Sequence, residues 1–272
     1  MEGDHFQFSL GPPDSGFSMF LADRTKKVHF IRHAEGFHNV ASRETGSNEC
    51  LGDMALWDAR LTPAGVEQCK ILRAELAHRP SQGRSFTHFD LVVISPLTRT
   101  LETANHIFGP PRPPGCPSFL AERFGDKDLP RPKFLVREEC RERWGLYTCD
   151  GRRPITEIVK DFPDFDFAEV ESNEDVYWGT TREPSDHCME RGIHFLEWLN
   201  KRPEKCIAVV THSSFLRHLF SQFGGDQTPG DKDDLQRMAG NCELRSVVLC
   251  SHGVKDGRHA PKMTKTLQMP LH

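Results

Sequence analysis

The sequence predicts an α/β fold, a three-layer sandwich with a mostly parallel central sheet and helices on both faces. The prediction rests on three features of the chain. Continuous apolar runs of strand length occur at Val28–Ile31, Phe89–Ile94 and Cys206–Val210, the pattern of strands buried on both sides. Helix-start signals come after two of these runs, at Ser95-Pro96 and at Ser213-Ser214. Each run is also succeeded closely by residues suited to an anion: Arg32-His33, Arg99 and His212.

In order along the chain, residues 1–23 carry Gly11-Pro12-Pro13 and show no usable period, which predicts an irregular N-terminal arm. One α/β domain is expected over 24–252, followed by a polar tail over 253–272. After the first strand and the Arg32-His33 loop comes a polar segment from Ala41 to Asp58. Thr62 as N-cap and Pro63 at the first helical position predict a helix to about Ala77, with Val66, Cys69, Leu72 and Leu76 on one face. Residues 78–87 read as a polar loop. In the second unit, Ser95 is the candidate N-cap and Pro96 the first helical residue, which puts Arg99 in the first turn beside an anion-ready helix terminus.

A proline-rich excursion is expected over 109–132, then a short strand at Phe134–Val136. The segment Glu138–Gly145 is dense in carboxylates and arginines. From Asp161 to Glu183 the chain is acidic and aromatic, broken by Pro163, and Val176-Tyr177-Trp178 is its apolar part, expected to pack over the site as a lid or lobe. Ser185 to Asn200 has helical spacing. Cys206–Thr211 is the third buried strand, Ser213 or Ser214 caps the helix after it, and Leu244–Cys250 is a fourth strand.

Composition excludes several classes. With 272 residues, 37% of them hydrophobic, the chain can bury one large core. The net charge of -4 and the dispersed positive charge argue against nucleic acid and against a polybasic membrane patch. Nine cysteines without a Cys-x-x-Cys pair point to a reduced protein without a thiolate metal site. No apolar run approaches the roughly 18 residues of a membrane helix, and no signal-peptide layout is present, so a cytoplasmic location is expected.

Taken alone, an arginine-histidine pair closing a strand is equally well explained as a solvated turn. Carboxyl ends of parallel strands lie on one edge of a sheet, however, so His33 and His212, about 180 positions apart, can meet there with Arg32 and Arg99. That convergence suits attack on phosphorus: guanidinium groups bind phosphoryl oxygens while a neutral imidazole acts as nucleophile.

The blocks carrying these residues resemble the histidine phosphatase superfamily, also called phosphoglycerate mutase-like. Its Arg-His-Gly signature is matched by Arg32-His33-Ala34, continued by Glu35 and Asn39. Its Leu-Thr-x-x-Gly-x-x-Gln block is matched by Leu61–Gln68, its Ser-Pro-x-x-Arg-x-x-x-Thr-Ala block by Ser95–Ala104, and its second histidine block by Val209–Ser213. The segments Cys149–Arg153 and Asn241–Ser246 resemble a eukaryotic mutase-like subgroup. Ala34 and Ser213 depart from the glycines usual at their positions; Ala34 is tolerable unless its φ must be positive.

The resemblance implies a phosphomonoester hydrolase without metal or cofactor, acting on a phosphorylated small molecule or phosphoprotein. It implies His33 as the nucleophile, with Arg32, Arg99 and a protonated His212 on the phosphoryl oxygens and Asn39 beside them. The proton donor to the leaving group is one of Glu138, Glu139 and Glu142; Glu142, three residues before Gly145, fits the resemblance best. Arg152, Arg153 and Trp178 are further candidates for substrate contact. A phosphoglycerate mutase and a catalytically inactive phospho-ligand-binding protein are the alternatives.

Overall fold

β1 (Thr25–Arg32) runs through the middle of the molecule because every residue from Val28 to Ile31 is buried. The structure, a computed structural model, describes residues 22–78, 80–81, 84–85, 89–109, 132–223 and 228–251. The expected N-terminal arm up to residue 21, much of the loop at 78–87, the proline-rich stretch 110–131 and the tail from residue 252 lie outside the described residues. After β1 come α1 (Phe37–Thr45), α2 (Pro63–His78) and a two-residue pairing of β2 (Pro80–Ser81) with β3 (Arg84–Ser85). Next are β4 (Leu91–Ile94), α3 (Thr98–Phe108), β5 (Lys133–Val136) and α4 (Ile155–Asp161). The chain continues through α5 (Ser185–Lys201), β6 (Cys206–Thr211), α6 (Ser213–Phe220), α7 (Pro229–Gln236) and β7 (Leu244–Cys250).

The main sheet has the order β5-β4-β6-β1-β7, parallel throughout except for β7, which pairs antiparallel with β1 at one edge. Alternate strand residues face opposite sides. Val28, Phe30, Leu91, Val93, Ile207 and Val209 pack on one side with Phe195 and Leu199 of α5 and Phe215 and Leu219 of α6. Ile31, Val92, Ile94, Ala208 and Val210 pack on the other with Leu72 and Leu76 of α2, Leu101 and Ile107 of α3, and Ile158 of α4. This is the expected sandwich of helix, sheet and helix.

Register positions the site. Arg32 lies opposite Thr211, and Ile94 lies opposite Val210. The three strands therefore finish level, and His33, Ser95 and His212 leave the sheet together. Backbone bonds continue one residue further, from His33 N to the Thr211 carbonyl at 2.9 Å and from Ser95 N to the Val210 carbonyl at 3.1 Å.

Helix α2 starts as expected: Thr62 Oγ1 accepts Gly65 N–H at 3.0 Å. Two other helix starts differ from expectation. α3 begins at Thr98, not Pro96, because the Ser95 hydroxyl is bonded to His212 Nε2 at 2.8 Å and the buried Asp58 carboxylate accepts Thr98 N–H at 2.8 Å instead. α6 takes no cap from Ser213 or Ser214. The Glu142 carboxylate accepts the N–H groups of Ser214 (3.1 Å) and Phe215 (2.8 Å), which satisfies two orphan donors from about 70 residues away. Residues 162–184 contain no regular helix or strand, only a bridge between Leu135 and Asp166.

α2 also crosses close to the loop after His33. A Cβ on Gly65 would lie 2.1 Å from the Glu35 carbonyl oxygen, a backbone atom with no room to move. Gly65→Ala should therefore cost at least about 2 kcal/mol of stability. The urea midpoint measures it, and an unchanged midpoint would contradict this close approach.

Candidate active site

His33, at 2% exposure, opens the loop after β1, and its Nδ1 lies 2.8 Å from the Ala34 carbonyl. A carbonyl only accepts, so Nδ1 carries the hydrogen and Nε2 carries the lone pair. The Ala34 backbone is not in the left-handed region, so its methyl group meets no conformational obstacle, and its N–H donates to Thr103 Oγ1 at 3.1 Å. Two further imidazoles flank the ring, with centroids at 5.2 Å for His212 and 5.3 Å for His38. Burial holds all three well below the ordinary imidazole value, and the nearby charges of Arg99 and, for His33 and His38, Arg32 add to it. All three are thus neutral at pH 7.

The arginines are held from behind. Arg32 Nη1 donates to the Ala239 carbonyl at 2.8 Å. Arg99, 1% exposed, donates from Nη2 to Asp150 Oδ1 at 2.8 Å and from Nη1 to the Cys149 carbonyl. Arg32 Nε, Arg99 Nε, His38 Nδ1 and His212 Nδ1 are all buried without a hydrogen-bond partner. Buried N–H donors are normally satisfied, so the two unpartnered guanidinium Nε–H groups of Arg32 and Arg99 suit hydrogen-bond acceptors beside His33.

The three glutamates separate cleanly. Glu138 is buried between Arg141 (3.0 Å) and Arg152 (2.8 Å), and Glu139 pairs with Arg137. Glu142 alone reaches the start of α6, directly beyond His212, and its charge also acts on Arg32. Asn39 accepts from Gly36 N and Asn241 Nδ2 through Oδ1. Arg152 is committed elsewhere: it donates to Glu138 and to the carbonyls of Arg153, Ser172, Asn173 and Glu174. Arg153 grips Asp58, Thr98 and Asp161. Trp178 donates to the Tyr147 carbonyl at 2.8 Å and packs edge-on against Trp57.

The curated protein "Phosphoglycerate mutase-like protein" of Arabidopsis thaliana is 36% identical over 250 residues, which covers 88% of this chain and 90% of that protein. The chain belongs to the phosphoglycerate mutase-like family, the histidine phosphatase superfamily. "Phosphoglycerate mutase-like protein 2" of the same plant is 36% identical over 85% of this chain and 76% of its own length. "Phosphomutase-like protein 3" of Candida albicans is 29% identical over 75% and 62%. No protein-family model matches the chain. Among solved structures, a phosphoglycerate mutase from Bacillus anthracis aligns with TM-score 0.49 at 16% identity, covering 84% of this chain and 90% of that one.

For this member of the phosphoglycerate mutase-like family, sequence reasoning passes over His38, Asp58, Ser95 and Asp150 as parts of the site. The signal for His38 is its place five residues after His33, at the start of α1, where the short intervening loop brings it back to the same pocket. Asp58 and Asp150 act through residues 40 and 51 positions away, which no local pattern reveals.

Neutral buried histidines set a stability profile. With folded values well below 6.5 for His33, His38 and His212, and about 4 for His29, the unfolded chain binds more protons once pH falls below about 6.5. Stability is complete above that pH and is lost on acidification, by up to about 1.4 kcal/mol per pH unit for each ring. Urea midpoints should fall between pH 7 and 5, and His38→Gln should flatten the slope; a level profile over that range rules out neutral burial.

Proposed function

We propose that the chain hydrolyses phosphomonoesters through a phosphohistidine on His33, without a metal. The observation that carries this reading is the neutral His33 with its Nε2 lone pair, set among Arg32, Arg99 and His212. The phosphoryl oxygens lie against the arginines, with His212 and the Asn39 amide nitrogen completing the set. A dianion there raises the His212 value, which favours a proton on that ring only while phosphate is bound. His33 Nε2 attacks phosphorus in line, the N–P bond forms as the P–O bond breaks, and Glu142, having taken up a proton from solvent as the phosphate dianion binds, passes it to the departing oxygen. Water then attacks the phosphohistidine and passes a proton back to Glu142, releasing phosphate and restoring the imidazole.

Deep burial of the nucleophile and Arg99 favours a small phosphate ester over a phosphorylated protein side chain. Eight described cysteines, all free thiols, support a reducing compartment such as the cytoplasm. Arg152 and Arg153 are left out of the substrate set because other acceptors hold them.

Wild type should turn over p-nitrophenyl phosphate with chelator present, and His33→Ala should not. Turnover that requires a bisphosphoglycerate primer would instead identify a mutase, and silence in both assays a binding protein. Glu142→Gln should slow hydrolysis of alkyl phosphates by about 10²-fold or more while p-nitrophenyl phosphate loses less than about tenfold. Equal losses on both substrates would sink Glu142 as the acid.

A further inference from the structure

The Cys149–Arg153 element, whose Arg152 and Arg153 are candidates for substrate contact on sequence grounds, turns its charged groups onto the protein itself. Thr148–Asp150 form a single tight turn whose mount is fixed on several sides. Thr148 Oγ1 donates to the carbonyls of Leu51 (3.0 Å) and Asp53 (2.5 Å), and Arg141 Nη2 donates to the Asp150 carbonyl at 2.7 Å. The next residues are anchored too, with Arg152 N on Asp175 Oδ2 at 2.8 Å. The Asp150 side chain, 4% exposed, stands on this mount and divides its two oxygens between two cations. Oδ1 accepts Arg99 Nη2 at 2.8 Å and Oδ2 accepts Arg182 Nη1 at 2.6 Å.

We infer that Asp150 is a positioning residue, which holds the Arg99 guanidinium in the orientation that phosphoryl transfer at His33 requires and balances it against Arg182. This inference rests on the proposed phosphatase reading. Arg99 starts from the first turn of α3 on a long side chain, and without acceptors its plane would be free to swing. Asp150 and the Cys149 carbonyl occupy both terminal nitrogens, which fixes the plane before substrate arrives and leaves Nε unpartnered. Arg99 is also the largest charge acting on each of the three imidazoles, so its placement governs the whole pocket. A carboxylate is needed because two guanidinium groups share the position. Arg182 donates as well to the Gly145 carbonyl at 3.0 Å and lies 4.7 Å above the Tyr147 ring. An amide at position 150 could keep one acceptor for Arg99 but would turn N–H groups toward Arg182.

The test is a double-mutant cycle on the full chain, with steady-state p-nitrophenyl phosphate hydrolysis and calorimetric binding of inorganic phosphate. Asp150→Asn, close in shape and suited to folding, and Asp150→Ala should each lower kcat, by about 10²-fold for the alanine variant, with a smaller rise in KM. In an Arg99→Ala background the same Asp150 changes should alter kcat less than about threefold, since the group they act through is gone. Losses that multiply in the double variants, or an Asp150→Asn enzyme with wild-type kcat, overturn the inference while leaving the phosphatase reading intact. If wild type binds phosphate without turnover, the cycle is read on phosphate affinity, with the same non-additivity expected. A wild type that neither binds phosphate nor turns over refutes the phosphatase reading, and the inference with it.

Discussion

Four guanidinium groups with little or no exposure, those of Arg99, Arg141, Arg152 and Arg191, set the terms on which much of the molecule folds. An arginine cannot shed its charge when buried, so each must find acceptors on most sides. Arg141 takes Glu138, Asp175 and the Asp150 carbonyl. Arg152 takes Glu138 and four carbonyls, and Arg191 takes Glu183 with the carbonyls of Glu139, Arg141 and Glu142. Those carbonyls come from residues 139–153 and 172–174, where the backbone has short 3-10 turns but no α-helix or sheet ladder to satisfy it. The cations supply the missing donors, so removing one would leave carboxylates and carbonyls unpaired together.

The five strands of the main sheet, the helices α2, α3, α5 and α6 and four central side chains were legible because each has a local cause; α4, α7 and the β2–β3 pairing were not read. A run such as Leu91–Ile94, short, rich in β-branched residues and closed by Ser95-Pro96, fits a strand buried on both faces, and the residues after it emerge at the sheet edge. The rest was hidden where partners are far apart in sequence. Ser95 and Ser213 have the composition of helix caps, yet the Ser95 hydroxyl serves His212 and carboxylates from Asp58 and Glu142 do the capping. Arg152 and Arg153 look like substrate ligands to any pattern, because a buried and an exposed guanidinium are spelled the same way. α1 reads as part of a loop and a polar segment because only His38 on it is buried, so it shows no apolar period.

Backbone conformation adds to this picture. Among the described residues, the non-glycine positions with φ in the left-handed region are Asp58 (46°), Leu146 (68°) and Cys242 (57°). Asp58 caps the helix that carries Arg99, Leu146 comes after Glu142 across the Gly145 turn, and Cys242 N–H binds the His33 carbonyl at 3.2 Å. Local conformational cost is concentrated around the candidate site, where surrounding contacts over-determine the chain path.

The position of β1 has a consequence for biosynthesis. Its two neighbours are β6 and β7, so the strand that delivers His33 emerges from the ribosome with both edges bare. At translation speeds of about 5–20 residues per second, roughly 10–40 s pass before Cys206 is made, and longer before Leu244. Throughout that interval an apolar segment from Val28 to Ile31 is open to pairing with any other nascent strand. The centre of the sheet can therefore close around the first strand only once the last quarter of the chain has been made.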